Sequence, residues 1–219
     1  VHQIEGIERI RLGSLEPGII TEEFAEAISK LPKMCPHFHL SLQSGCNATL
    51  KRMNRRYTSE EYAERCGILR KYFENPALTT DVIVGFPGET EEEFEASRNF
   101  VDSIDFYETH IFKYSRREGT KAAVMPDQVS EGKKSARSAE MSEMGEQKRR
   151  AYEESFIGKE VEVYAPIESG QRRDEDVKTI SGKVESVYIK DGVVYMNVKD
   201  SQSENIIEVE YGALIKVNG

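Results

Sequence analysis

Cysteine is scarce in this chain: Cys35, Cys46 and Cys66 are the three among 219 residues. Such an odd, sparse set does not build a secreted disulfide scaffold. Long apolar runs are missing too. Stretches such as Val82-Ile83-Val84 fall far short of the roughly 20 residues a bilayer-spanning helix needs. No basic segment followed by an apolar one opens the chain. With neither bridges nor spans, the cytoplasm is the expected compartment. Positive charge is outnumbered, 30 Lys+Arg against 39 Asp+Glu, for a formal net charge of −9. That excludes a uniformly basic nucleic-acid binder but leaves room for local basic patches. Internal repeats and low-complexity tracts are absent as well. What is present is a globular composition, 38% hydrophobic and 32% charged, and its recurring apolar runs exclude a disordered chain. The length suits one large domain, or a medium domain with a small one. The chain opens at Val1 on structured-looking sequence, as a piece of a longer protein would.

The first two-thirds alternate short apolar strands with capped amphipathic helices. Ile7 to Leu12 alternates with period two, as a strand does. A helix follows from Thr21, with Glu22 and Glu23 at its positive end and Phe24, Ala27, Ile28 and Leu31 on one face. Pro32 and Pro36 then interrupt the chain. His37 to Leu42 reads as the second strand, followed by the Ser44-Gly45 turn and a short helix around Leu50 and Met53. Thr58-Ser59-Glu60-Glu61 forms a capping box opening a helix to about Phe73. Leu78 to Val84 is the third strand, Gly85-Phe86-Pro87-Gly88 a tight turn, and Thr90 to Glu93 a second capping box. That helix carries Phe94, Phe100, Val101 and Ile104. Phe106 to Phe112 gives a fourth strand. Strands separated by helical sequence demand parallel pairing with crossover helices, in an open sheet or an arc of a barrel. Four strands supply half of an eight-stranded barrel, so an exposed edge and self-association are expected of the isolated chain.

From Ser130 to about Phe156 the sequence is a long polar helix, with Ala136, Ser138, Ala139, Met141, Met144 and Ala151 as a narrow apolar stripe that Gly145 weakens. After Gly158 the period switches to two. Val161 to Tyr164, Gly182 to Tyr188, Val193 to Val198, Ile206 to Val209 and Leu214 to Val217 form five short strands, with Asp191-Gly192 as a hairpin signal and Gln171 to Asp176 as a polar loop. These make a small separate all-β barrel or sandwich.

In parallel βα architectures ligands sit at the carboxyl ends of strands. Here those ends are Gly13 to Pro17, Gln43 to Asn47, Gly85 to Thr90 and Tyr114 to Arg117. Each mixes glycine with donors and acceptors. Singly, each is ordinary turn chemistry; four at one end define a candidate site. His37 and His39 share a strand face at i, i+2, a spacing that can bind metal. With no third ligand nearby in sequence they read as hydrogen-bonded interior histidines, and no metal site is assigned. Glu89, Glu91, Glu92, Glu93 and Glu95 read as a solvated helix N-terminus. Lys51, Arg52, Arg55, Arg56 and Arg65, with Lys113, Arg116, Arg117 and Lys121, are a basic cluster whose default reading is solvation. Cys66 reads as a buried structural thiol; Cys46 lies either near the site or is a tolerated small residue.

The segments His39-Leu40-Ser41-Leu42-Gln43-Ser44-Gly45, Leu50 to Thr58, Thr80 to Thr90 and Phe112 to Thr120 together resemble, in order, the radical S-adenosylmethionine methylthiotransferases. Cys35 to Gln43 looks most like the branch that modifies N6-threonylcarbamoyladenosine beside the tRNA anticodon. The resemblance spans roughly residues 5 to 160. It implies a partial (β/α) barrel that binds S-adenosylmethionine and a [4Fe–4S] cluster. The reduced cluster would cleave that cofactor to a 5′-deoxyadenosyl radical, which abstracts hydrogen from the adenine before a methylthio group is added. Carried over residue by residue, it implies cofactor contacts at Ser14 and Glu16, at Gln43 and Ser44, at Arg55 for the carboxylate, at Ile83 and Gly85 against the adenine, and at Phe112 and Tyr114 as a last wall. Arg52, Arg56, Arg116 and Arg117 would contact tRNA phosphate.

The family's C-x-x-x-C-x-x-C cluster motif and its further N-terminal cysteines are absent from this sequence. The expectation is therefore that the chain, as the C-terminal portion, neither assembles the cluster nor performs the reaction without the missing N-terminal portion. No catalytic residue is assigned. Family members end in an RNA-binding TRAM barrel, which Phe156 to Val163 resembles. Residues 156 to 219, however, hold 8 basic and 12 acidic residues, the wrong balance for phosphate, and other SH3-like barrels that bind protein fit equally. The reading is thus the C-terminal half of a radical SAM barrel over 1–129, a connecting helix over 130–155 and a divergent TRAM-like β-barrel over 156–219. The rival readings are a non-catalytic RNA- or protein-binding module derived from such an enzyme, and a (β/α) enzyme using a phosphate-containing ligand in the same loops.

Overall fold

A computed structural model describes residues 1–166 and 177–218; the polar segment from Gln171 to Asp176 lies outside the described residues. The chain forms two compact units, Val1–Arg149 and Arg150–Gly219.

The first unit runs β1 (Ile10–Leu15), α1 (Glu22–Ser29), β2 (Met34–Leu40), α2 (Asn47–Arg52), α3 (Ser59–Tyr72), β3 (Ala77–Val84), α4 (Glu91–Ile104) and β4 (Glu108–Lys113), then most of α5 (Glu131–Glu154). The four strands form one parallel sheet in the order β1-β2-β3-β4. Each step between neighbours passes through helix, the connection that parallel pairing requires. Caps fix where the helices begin. Thr21 Oγ1 accepts the Phe24 N–H at 3.1 Å, and Thr58 with Glu61 and Thr90 with Glu93 form reciprocal capping boxes.

Period-two burial divides the sheet. Phe38, Leu40, Leu78, Val82 and Val84 are buried with Ile28, Tyr62, Cys66, Leu69, Phe94, Val101, Ile104 and Phe106 from the helices and loops. Burying each such side chain contributes roughly 1.5–3 kcal/mol. His37, His39, Asp81, Ile83, His110 and Phe112 alternate with that set and are half-buried or exposed.

The structure corrects four sequence expectations. β1 starts at Ile10, three residues later than the alternation from Ile7 suggests, because pairing with β2 begins at Ile10↔Met34. Pro36 lies inside β2 and does not break it: it falls between the paired rows Ile10↔Met34 and Leu12↔Phe38, where the register shifts and no ladder N–H is needed. On α1, Ala25 is buried and Ala27 exposed. On α5, Ala136, Ala139 and Ala151 are exposed; the buried positions are Lys134, Arg137, Met141, Met144, Gly145 and Glu153. This helix is more than a connector, since Met141 and Met144 join the first unit's core. Gly145 is needed there: a Cβ would stand 2.4 Å from Thr109 Oγ1.

The second unit is a five-stranded antiparallel sheet, ordered β8 (Ile206–Glu210), β7 (Val193–Asp200), β6 (Val177–Lys190), β5 (Glu160–Pro166) and β9 (Leu214–Asn218). All five strands expected from the alternation are present. Its core is Phe156, Val161, Val163, Ala165, Ile180, Val184, Met196, Val198 and Val209. Asp191 and Gly192, at φ 52° and 78°, make the β6–β7 turn with both central residues left-handed.

Candidate functional site

The loop after β2 is held by its own carbonyls. The Tyr62 hydroxyl donates to Leu40 O at 2.9 Å, the Tyr57 hydroxyl is shared between Ser41 O at 2.8 Å and Leu42 O at 2.9 Å, and Leu42 N–H donates to Thr80 Oγ1 at 3.0 Å. Burial and these contacts go with a Tyr57 hydroxyl pushed up to about 12, chiefly by desolvation. Gln43, in the left-handed region at φ 71°, bridges back to β3: its N–H donates to Asp81 O and its carbonyl accepts from Ile83 N–H, both at 2.9 Å. A non-glycine residue there marks a conformation imposed by its surroundings. Ser44 is wholly buried; its hydroxyl accepts the Cys46 N–H at 3.2 Å and lies 3.4 Å from Ser97 Oγ. Gly45 has no room for a side chain, since a Cβ would meet Phe100 Cβ and Ser97 O at 2.7 Å. The α4 surface thus fixes the β2 loop from behind.

The loop after β3 is fixed by a buried ion pair. Gly85, at φ 73°, donates its N–H to Glu89 Oε2 at 2.7 Å. Arg137 of α5 donates from Nη1 to Glu89 Oε2 at 2.8 Å and Glu89 O at 3.2 Å, and from Nη2 to Thr90 O at 3.2 Å and Glu91 Oε2 at 3.0 Å. The side chains of Glu89 and Arg137 are 2% and 5% exposed. Desolvation raises the Glu89 carboxyl above its ordinary range, against the lowering effects of the Gly85 amide and Arg137. Lys134, beside them, pairs with Glu131 at 2.7 Å, lies 5.3 Å from the Tyr114 ring centroid, and fills the space a Gly85 Cβ would take. The expectation of a solvated Glu89–Glu95 run is corrected at Glu89, which is buried, and at Glu93, which pairs with Arg52.

Arg52 is likewise engaged. It grips Glu93 with both Nη atoms, donates from Nε to Pro87 O at 3.2 Å, and thereby braces α2 against the β3 loop. Glu93 raises the Arg52 guanidinium pKa and is itself lowered by it. Arg56, Arg116 and Arg117 are exposed. Arg55 lies 3.7 Å from Glu16 Oε1, which brings the end of β1 to the α2–α3 turn. Ser14 and Phe112 are exposed, Ile83 is half-buried, and Tyr114 is half-buried with its hydroxyl buried and without a hydrogen-bond partner.

On the open face, a cavity of about 520 Å³ is lined by Arg11, Gly13, Ser14, His39, Asp81 and His110, among others. His37 accepts a hydrogen bond from Arg11 at Nε2. Burial, then Arg11, holds its imidazole down to about 4, so it is neutral. Sequence reasoning missed two things here. Arg137 sits on a helix polar throughout, and only its basic neighbour Lys134 near the N-terminus, where acids are favoured, hinted at a buried partner. Asp81 and His110 were visible as polar residues inside apolar strands, but their meeting with His39 depends on the strand register.

The thiols do not fit an iron–sulfur cluster. Cys35 is on β2, Cys46 precedes α2 and Cys66 is in α3, with Cys35 and Cys66 buried. Burial pushes the Cys66 thiol up to about 12, away from the thiolate that ligation requires. The strand ends do fit a polar nucleoside: the orphaned Tyr114 hydroxyl and the Arg55–Glu16 pair offer it a donor, a cation and an acceptor.

Comparison with known proteins agrees with this division. The model of the Radical SAM superfamily matches residues 2–101. The solved radical SAM enzyme coproporphyrinogen III oxidase from Escherichia coli aligns over 96% of this chain and 51% of its own, with a TM-score of 0.55 at 13% identity, a likeness of fold. Residues 2–101 thus resemble the radical SAM superfamily. Nearly the whole chain is similar to part of the tRNA methylthiotransferases. It is 38% identical over 215 residues to threonylcarbamoyladenosine tRNA methylthiotransferase MtaB of Bacillus subtilis, covering 98% of this chain and 45% of that protein. To the tRNA-2-methylthio-N(6)-dimethylallyladenosine synthases of Caldicellulosiruptor saccharolyticus and Thermoanaerobacter pseudethanolicus it is 38% and 44% identical, covering 91% and 82% of this chain and 43% and 38% of theirs. The chain spans less than half the length of these relatives. No helix among the described residues is long and apolar enough to cross a membrane.

Proposed function

We propose that the chain is the C-terminal portion of a cytoplasmic tRNA-modifying methylthiotransferase that adds a methylthio group to N6-threonylcarbamoyladenosine beside the anticodon. The observation that carries the reading is the collinear match of nearly the whole chain to the B. subtilis relative of that name. S-adenosylmethionine and a [4Fe–4S] cluster supply the radical chemistry when bound; the ligands of the cluster come from the missing N-terminal portion, because this chain's thiols lie on separate elements.

This chain's own residues bind and orient. Gln43 presents its amide from a backbone pinned to β3. Arg55 pairs with a carboxylate and exchanges Glu16 for it. Tyr114 donates its unengaged hydroxyl, and Ile83 and Phe112 supply apolar surface for an adenine. Ser14 offers a hydroxyl at the end of β1. Ser44 and Gly85 support the site from within their loops. Arg56, Arg116 and Arg117 meet tRNA phosphates, and Arg52 does not.

The test is to express the full-length protein in a strain lacking its own methylthiotransferases and to analyse digested tRNA by mass spectrometry. The 2-methylthio derivative of N6-threonylcarbamoyladenosine is expected. The dimethylallyl derivative would move the assignment to the other branch, and neither product would favour a non-catalytic binding module.

A further inference from the structure

His39 on β2, Asp81 on β3 and His110 on β4 each offer one ligand atom, and these atoms lie within 4.8 Å of one another. The three strands are neighbours: Asp81 and His110 stand directly opposite each other, and His39, opposite Thr79, lies diagonal to Asp81 on the same open face. We propose that these residues bind one divalent transition-metal ion, at a site that no step of the function above uses.

Ligand atoms sharing an ion at about 2.0–2.2 Å stand within about 4 Å of each other, so side-chain rotations of under about an ångström close the set. At 3.6 Å, His39 Nε2 and Asp81 Oδ2 are within ion-pair reach but beyond hydrogen-bond length, so the space between them is open to a shared ion. The His39 ring is also supported from behind. Thr79 Oγ1, 1% exposed as a residue, lies 2.9 Å from His39 Nδ1. It fixes the ring and leaves Nε2 directed at the cluster, as outer partners of metal-bound histidines do. His110 stacks on His39 with centroids 5.9 Å apart. Two imidazoles and one carboxylate on one side suit Zn²⁺, Fe²⁺ or Co²⁺ over Mg²⁺ or Ca²⁺, and the adjoining cavity leaves the remaining positions open to water or a ligand. Arg11 also lines the cavity; its guanidinium is turned to His37 Nε2.

The test is a titration of Co²⁺ alone into the 219-residue chain, read by visible ligand-field absorption, with Zn²⁺ as competitor. A saturable one-to-one band displaced by Zn²⁺ is expected. His110→Gln, at an exposed position, abolishes it with an unchanged far-UV circular dichroism spectrum, as does Asp81→Asn. Thr79→Val weakens binding by about tenfold or more, and Cys46→Ser leaves it unchanged. No saturable band, a band that survives His110→Gln, or one lost in Cys46→Ser would overturn the proposal. Because the readout needs neither S-adenosylmethionine nor tRNA, failure here leaves the functional assignment untouched, and the reverse holds.

Discussion

Replacing Arg137 with methionine removes the cation but keeps most of the side-chain volume. Four carbonyl or carboxylate contacts are lost together, two of them on Glu89. Glu89 then keeps its bond from the Gly85 amide but has lost Arg137 as its buried counter-charge. Deleting one partner of a buried pair costs about 3–5 kcal/mol. At about 2–4 °C per kcal/mol for a unit of this size, the expected fall in melting temperature is about 6–20 °C. The pH dependence gives an internal check. Glu89 has a folded-state pKa raised above its unfolded value, so its contribution is full below about 4.5, the ordinary value, and declines as pH rises through the raised one. Without Arg137 that rise is larger. Arg137→Met should therefore recover stability on acidification from pH 7 towards 5, and Glu89→Gln in the same chain should restore part of it at pH 7. Urea unfolding of the four members of the cycle measures this. A loss under about 1 kcal/mol, or one that neither acid nor Glu89→Gln relieves, would refute the reasoning.

Three further outcomes follow from the same contacts. Gly45→Ala drives a methyl into the Ser97 carbonyl and Phe100, and should cost about 1–3 kcal/mol in chemical denaturation; a neutral result would show that α4 can retreat. His37 should titrate near 4 by NMR. Because its folded pKa is depressed, the associated stability is present above about 6.5 and lost as pH falls towards 4; a midpoint at the ordinary value would contradict its burial against Arg11. In the full-length protein, Arg116→Ala and Arg117→Ala should each lower the salt dependence of tRNA binding by about one charge, whereas Arg52→Ala should lower stability and leave that slope alone.

Much of the first unit was legible in the sequence because its signals are local. Thr58–Glu61 and Thr90–Glu93 announce helix starts whatever surrounds them, and Asp191-Gly192 announces a hairpin. The strand edges were less so, since Pro36 is tolerated only because the register shifts beside it. The α5 stripe was misread for a physical reason: hydrophobic periodicity assumes that apolar side chains face the core, yet Lys134 and Arg137 do so here with Glu89, Tyr114 and Phe94 as partners. Arg52 illustrates the converse. Its neighbours mark it as part of a surface patch, and only the fold brings Glu93 to it. The strand-end loops could be named from their glycines, while the row of His39, Asp81 and His110 across three strands required the register.

Calorimetric titration of S-adenosylmethionine into the full-length protein, beside its Gln43→Ala, Arg55→Ala and Tyr114→Phe variants, probes the strand-end site most directly. Weaker binding in all three, with the fold unchanged, is the predicted result. Wild-type affinity in the three variants would show that the cofactor lies elsewhere.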